Sequence, residues 1–334
     1  MNILLTGGAG YIGSHTSIAL TLAGYNVTIY DNLCNSSLST LDNLKVILGK
    51  DISFVKGDIL DITLLKSTLQ NYSIDSVIHF AGLKSVGDSL LEPMRYYENN
   101  LIGSLSLFKA MNEIGINNLV FSSSANVYGN PKYLPIDESH PVAPSNPYGR
   151  TKLQVESILE DLCKADKDLK VVNLRYFNPV GAHESGLVGE NPRGIANNLM
   201  PFILRVASSQ LKNLDVFGGD YDTLDGTGVR DFIHVMDLAE GHVAAIKYVS
   251  NMQGFETFNL GNGTGYTVLQ MIHSFEKVTG VKIPYQIVEK RSGDISSSFA
   301  SPNKADQLLN WKAYRTIDDM CMSAWKYSNN IKNR

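Results

Sequence analysis

Cysteine is scarce and scattered. Cys34, Cys163 and Cys321 are the only three in 334 residues, odd in number and without C-x-x-C spacing. That argues against a disulfide-stapled fold and a cysteine-based zinc site, and it fits a reducing compartment. An excess of basic charge is also missing. With 29 Lys and Arg against 33 Asp and Glu, the formal net charge is -4, and nothing marks a face for nucleic acid. No apolar run approaches the roughly 18–20 residues that span a bilayer. Met1 to Gly10 has neither a basic leader nor a hydrophobic stretch of signal length. A cytoplasmic protein without membrane attachment is expected. What is present is a globular composition, 43% hydrophobic and 19% charged, on a chain longer than one compact core usually holds.

Through the first half, short apolar runs alternate with segments of helical period. The runs are Ile3-Leu4-Leu5, Val27 to Tyr30, Ser53-Phe54-Val55, Val77 to Phe80, Leu119-Val120-Phe121 and Val171 to Tyr176. This rhythm predicts βαβ units and an α/β fold with a Rossmann-type, doubly wound parallel sheet. Each run ends in small or polar residues, and in such sheets ligands sit outside the carboxyl ends of the strands. After Pro179 the pattern loosens into Gly-, Asn- and Pro-rich loops. The expected division is a dinucleotide-binding lobe over 1–178, with a return segment near 230–250, and a smaller α/β substrate-binding lobe over 179–334.

Thr6-Gly7-Gly8-Ala9-Gly10-Tyr11-Ile12-Gly13 follows the first strand and opens a helical pattern. Glycines here permit a tight turn, close approach of a pyrophosphate and close helix–strand packing, and the helix N-terminus then faces the phosphates. Alone, the pattern also describes a merely tight βα turn. Asp31 supplies the missing context, since it ends the second strand about 20 residues on, where a carboxylate accepts from ribose hydroxyls. It would repel a 2′-phosphate, and Asn32 to Ser36 offer no arginine, so NAD is expected rather than NADP. Asp58, after the third strand, suits either a helix cap or an adenine contact.

Asn146-Pro147-Tyr148-Gly149-Arg150-Thr151-Lys152 reads as a helix start, with Ser145 or Asn146 as cap and Pro147 in the first turn. Tyr148 and Lys152 then lie at i and i+4 on one face. A phenol, with a reference pKa of about 10, acts as a base at neutral pH only where positive charge favours its phenolate. Lys152 and an oxidised nicotinamide would provide it. Ser122-Ser123-Ser124-Ala125-Asn126-Val127-Tyr128-Gly129 follows another apolar strand, placing the Ser124 hydroxyl to bridge a substrate alcohol and the tyrosine.

With these motifs in this order, the sequence resembles the UDP-galactose 4-epimerase family, in the extended short-chain dehydrogenase/reductase class, over nearly its whole length. Further matching stretches are His79 to Lys84, Arg175 to His183, Asn197 to Pro201 and Asp225 to Asp231. The resemblance implies Tyr148 as base, Ser124 as proton aligner or relay, and Lys152 as their partner. It implies an NAD site of Gly7, Gly10, Tyr11, Ile12, Gly13, Asp31, Asn32, Leu33, Cys34, Asn35, Ser36, Asp58, Ile59, Phe80, Ala81, Gly82, Leu83, Lys84, Asn99, Ser124, Tyr148, Lys152 and Phe177. It implies a UDP-sugar site of Lys84, Ser124, Asn126, Tyr148, Asn178, Asn198, Leu199, Phe217, Arg230, Val268, Arg291, Asp294 and Ser298, with no metal. The two arginines suit a diphosphate. A homodimer is implied as well. Three positions depart from the family: Asn126 for a usual threonine, Phe232 for a common tyrosine, and Ser301 for a common aspartate.

The implied reaction is inversion of C4 through a transient 4-keto sugar. A nucleotide-sugar 4,6-dehydratase shares the NAD loop and Tyr-x-x-x-Lys, but such relatives carry an Asp-Glu pair where this chain has Ala125-Asn126. A non-catalytic NAD sensor would have no need of Ser124, Tyr148 and Lys152 together. Counting from Arg291-x-Gly293-Asp294, Ser298 stands at the position that borders the sugar in the family, large tyrosine in some members and small in others, and here it is small. It leaves space for a 2-acetamido group, unless the neighbouring Phe299 fills it.

Overall fold

The computed structural model describes residues 1–192, 198–291 and 294–332; Asn197 and Gly293 of the motifs above lie outside them. The six apolar runs form six parallel strands: β1 (Asn2–Thr6), β2 (Asn26–Asp31), β3 (Ser53–Lys56), β4 (Ser76–His79), β5 (Asn118–Ser124) and β6 (Lys170–Tyr176). Between them run α1 (Tyr11–Leu22), α2 (Leu38–Leu48), α3 (Ile62–Asn71), α4 (Val86–Leu91), α5 (Pro93–Tyr96), α6 (Gly103–Ile114) and α7 (Pro147–Ala165). Beyond β6 come β7 (Asn178–Val180), α8 (Leu199–Ala207), β8 (Leu214–Phe217), β9 (Val229–His234), α9 (Val235–Val249) and β10 (Gly254–Leu260). The chain continues through β11 (Gly265–Thr267), α10 (Val268–Thr279), β12 (Tyr285–Val288), β13 (Ser297–Ser298) and α11 (Ile317–Lys332).

The large sheet has the order β10-β6-β5-β4-β1-β2-β3, so the α/β class with a doubly wound parallel sheet is the observed one. The chain winds outward from β1 to β2 and β3, then crosses back to β4. That reversal opens the crevice beside the ends of β1 and β4. Alternate residues of β1 serve opposite faces, as the two-residue period of a strand requires. Ile3 and Leu5 join one core layer with Ile18, Ile246 and Phe258, whereas Leu4 joins the other with Leu65, Leu107 and Leu159. α1 buries eight of its twelve residues, because the sheet covers one side and α9 lies against another. Its small residues Gly13, Ser14, Ser17 and Ala19 allow that closeness.

Of the segment read from the sequence as a strand and helix near 230–250, the strand β9 sits in a small sheet with β7, β11 and β13. The helix α9 lies on α1, and β10 then extends the large sheet beside β6. β8 and β12 form a two-stranded sheet, and α8, α10 and α11 pack around a separate core containing Ile203, Val216, Phe232, Phe275 and Met320. Phe232 therefore points into apolar packing, where a hydroxyl has no use.

If β10 is integral to the main core, Phe258→Ala, at a side chain with no exposure, should cost about 3–5 kcal/mol. Urea unfolding should show a clearly lowered midpoint; an unchanged midpoint would contradict this packing.

Candidate active site

The glycine loop is built by close approach. Gly7 has φ +70°, and a Cβ there would stand 2.7 Å from the Ala81 nitrogen. A Cβ on Gly13 would meet the Gly7 carbonyl oxygen at 2.6 Å. The Gly10 N–H donates to that same oxygen at 3.1 Å. α1 starts at Tyr11 without a side-chain cap, leaving its first N–H groups to a ligand.

Asp31 is fixed on both oxygens: Ala9 N–H donates to Oδ2 (3.1 Å), and Leu33 N–H (2.8 Å) and Ser36 Oγ–H (2.9 Å) donate to Oδ1. Asn32 Nδ2 donates to Asp58 Oδ2 at 2.9 Å, joining the ends of β2 and β3. These contacts bring Asp31, Asn32, Leu33, Ser36 and Asp58 together beside the loop, with Cys34 exposed at its rim. The cradle and the positioned carboxylate fit a dinucleotide with a free ribose.

Asn100 organises the next wall. Its Oδ1 accepts from Leu83 N–H (2.7 Å) and Asn99 Nδ2 (3.0 Å), and its Nδ2 reaches the Leu83 carbonyl (3.0 Å) and Thr151 Oγ1 (3.1 Å). Beneath it, Ser104 donates to the Asn100 carbonyl at 2.5 Å, so its oxygen accepts from His79 Nε2–H at 2.9 Å. His79 Nδ1 then accepts from Thr6 at 2.7 Å. Burial pushes this imidazole down to about 3, with the Lys152 charge acting the same way, so it is neutral.

α7 begins at Pro147, capped by Asn146 Oδ1, which accepts from Gly149 N–H at 2.8 Å. Tyr148, Lys152 and Glu156 follow at steps of four on its buried face. The Lys152 ammonium donates to the Ser122 carbonyl at 2.5 Å and lies 4.9 Å from the Phe121 ring centre. Burial pushes Lys152 down to about 8, against the pull of the Glu156 carboxylate. Burial pushes the Tyr148 phenol up to about 12, and a hydrogen bond with Ser124 draws it the other way. Asn126 gives both its main-chain N–H (3.2 Å) and its Nδ2 (3.1 Å) to Ser124 Oγ.

Sequence reasoning missed Glu156, whose carboxylate accepts from Arg175 Nε (3.1 Å) and Nη2 (2.6 Å) and from Ser123. Its spacing of i+4 from Lys152 was the available signal. It also missed Asn100 beside Asn99, and Glu190, which accepts from Lys84 Nζ (3.1 Å) and Asn198 Nδ2 (2.7 Å). Behind Phe80, the Tyr176 hydroxyl pairs with His242.

In the small lobe the Arg291 guanidinium lies 4.4 Å from the Phe217 ring centre, and its Nε donates to Asp294 at 3.1 Å. Arg230 is held by the Val229 carbonyl at 2.8 Å; burial lowers its pKa, with Asp294 opposing. Ser298 pairs with Arg230 across β13 and β9. The Phe299 ring instead covers Gly265, where a Cβ would meet it at 3.1 Å. Leu199 and Val268 open α8 and α10. Among the described residues, no three His, Cys, Asp or Glu side chains gather to hold a metal.

A profile of the GDP-mannose 4,6 dehydratase family matches residues 4–324. The chain is 52% identical over 333 residues to the UDP-glucose 4-epimerase of Bacillus subtilis, covering 100% of this chain and 98% of that protein. A Stenotrophomonas maltophila UDP-glucose 4-epimerase structure with bound NAD and formylated UDP-arabinopyranose superposes with TM-score 0.98 at 47% identity, covering 100% and 99%. That of Bifidobacterium longum, in complex with NAD+ and UDP, gives 0.96 at 49%, again covering 100% and 99%.

Because Gly13 has no space for a side chain, Gly13→Val should strip retained dinucleotide and cost about 1–3 kcal/mol by overpacking. Assaying nucleotide released on denaturation checks this; full occupancy in the variant would contradict the cradle.

Proposed function

The chain belongs to the UDP-glucose 4-epimerase family of extended short-chain dehydrogenase/reductases, and we propose that it interconverts UDP-glucose and UDP-galactose by inversion at C4. The observation that carries the reading is that Tyr148 and Lys152 share the buried face of α7, the first hydrogen-bonded to Ser124 and the second to the Ser122 carbonyl at the end of β5, beside Gly82. NAD, when bound, accepts and returns hydride at C4 through a transient 4-keto sugar. Gly7, Gly10, Tyr11, Ile12 and Gly13 would hold its pyrophosphate and Asp31 its ribose. Phe80 to Lys84, Asn99 and Phe177 would flank it.

Tyr148 would take the C4 hydroxyl proton and later return it, with Ser124 beside it. Lys152 would stabilise the phenolate by charge. Arg230 and Arg291 would grip the diphosphate, with Phe217, Asn178, Asn198, Leu199, Val268 and Asp294 around the nucleotide. Holding the nucleotide firmly leaves the sugar free to turn and present its other face. Ala125-Asn126 supply no acid to expel a 6-hydroxyl, which argues against dehydration despite the name carried by the family profile.

Two lobes, 1–178 with α9 and β10 and the remainder of 179–334, would divide cofactor from substrate. Exposed Leu90, Leu91, Met94 and Ile102 support a homodimer through the first lobe's helices. No helix among the described residues is long and apolar enough to cross a membrane, and with three free cysteines this supports a cytoplasmic location. The small Ser298 beside Arg230 supports acceptance of UDP-N-acetylglucosamine and UDP-N-acetylgalactosamine too.

Tyr148→Phe should lower conversion of UDP-galactose by roughly 10²–10⁴-fold while NAD and UDP still bind; near-normal turnover would overturn the assignment. Ser298→Tyr should suppress the N-acetylated pair far more than the plain pair. Equal loss on both, or no turnover of either acetylated sugar by the unmodified enzyme, would sink the substrate reading.

A further inference from the structure

A hydroxyl oxygen offers two lone pairs and one proton. At Ser124 both lone pairs face N–H donors of a single residue, the Asn126 main chain at 3.2 Å and the Asn126 side chain at 3.1 Å. With its acceptor capacity filled, Ser124 has only its proton left to give. Its side-chain hydrogen bond with Tyr148, in the first turn of α7, is where that proton goes.

We propose that Asn126 is a positioning residue that fixes Ser124 as a hydrogen-bond donor to Tyr148, so that Tyr148 alone takes the proton from the sugar hydroxyl and Ser124 relays none. The inference rests on the epimerase reading and deepens it. In the proton step the sugar O–H breaks and the Tyr148 O–H forms, while Ser124 keeps its own proton throughout. A donor aimed at the phenolate favours the charged form. That agrees with Ser124 drawing the Tyr148 pKa down against burial and against Tyr96 on α5. Tyr176 at the end of β6 also interacts with Tyr148, and Lys152 follows one turn on along the same buried helix face.

The test is the titration of Tyr148 in the NAD-loaded enzyme, read as tyrosinate absorbance by difference against Tyr148→Phe. Asn126→Ala frees the Ser124 lone pairs and lets its proton turn away. The Tyr148 pKa should rise by roughly half a unit to one unit, and turnover near pH 7 should fall about three- to tenfold. In a Ser124→Ala background the same substitution should add nothing, because its effect passes through Ser124.

An unchanged or lowered Tyr148 pKa in Asn126→Ala overturns the proposal; a lowered value would mean that the amide oxygen, not its nitrogen, faces Ser124. Additive effects of the two substitutions overturn it equally. If the unmodified enzyme epimerises UDP-galactose and Tyr148 fails to shift, this inference alone falls. If the unmodified enzyme does not epimerise, the reading beneath it falls.

Discussion

Glu156 and Arg175 face each other with side-chain exposures of 4% and 9%, and the rest of the site hangs on that contact. Two charges withdrawn from water carry a desolvation cost of several kcal/mol each, which only good geometry offsets. Two guanidinium nitrogens reach the carboxylate, and Ser123 adds a third donor. The pair ties α7 to β5 and β6 at one register. A slip of α7 by one residue would turn Glu156 from Arg175 and, with it, carry Lys152 from the Ser122 carbonyl and Tyr148 from Ser124.

A second frame holds the cofactor side. The chain Thr6, His79, Ser104 and Asn100 runs from the end of β1, through β4, to the wall against Leu83 and Thr151. Thr151 adjoins Lys152, so the two frames meet on α7. Rigid backing of this kind holds a buried amine and a buried phenol, each costly to charge, on one face of a single helix. The small lobe is built differently: Arg230 is a half-buried residue of β9, whereas Arg291 stands in the loop after β12, stacked on Phe217.

Much of this was legible in the sequence. Apolar runs three to six residues long, each ending in small or polar residues, located the first six strands because parallel strands buried on both faces are continuous in hydrophobicity. Gly7, Asp31 and Ser124 were readable because each ends or follows an apolar strand, and Tyr148 and Lys152 because they stand one helical turn apart. The strand β10 was not singled out, since its Gly-Phe-Glu-Thr start mixes polar and apolar residues at a sheet edge. Glu156 was passed over because a glutamate on a helix usually faces water, and its partner Arg175 lies on another element. Asn100 was overshadowed by Asn99, because their roles depend on which side of a helical turn faces Leu83. The doubled donation from Asn126 to Ser124 depends on a tight turn that no residue count reveals. Nothing in the structure explains Ser301 in place of an aspartate.

The central claim is that one site removes hydrogen from C4 and returns it to the same carbon. UDP-glucose carrying deuterium at C4 tests this directly, with the products separated and read by mass and by NMR in ordinary water. The account predicts UDP-galactose of unchanged mass with the deuterium still at C4. Deuterium lost to solvent, deuterium moved to another carbon, or a product lighter by one water would contradict it.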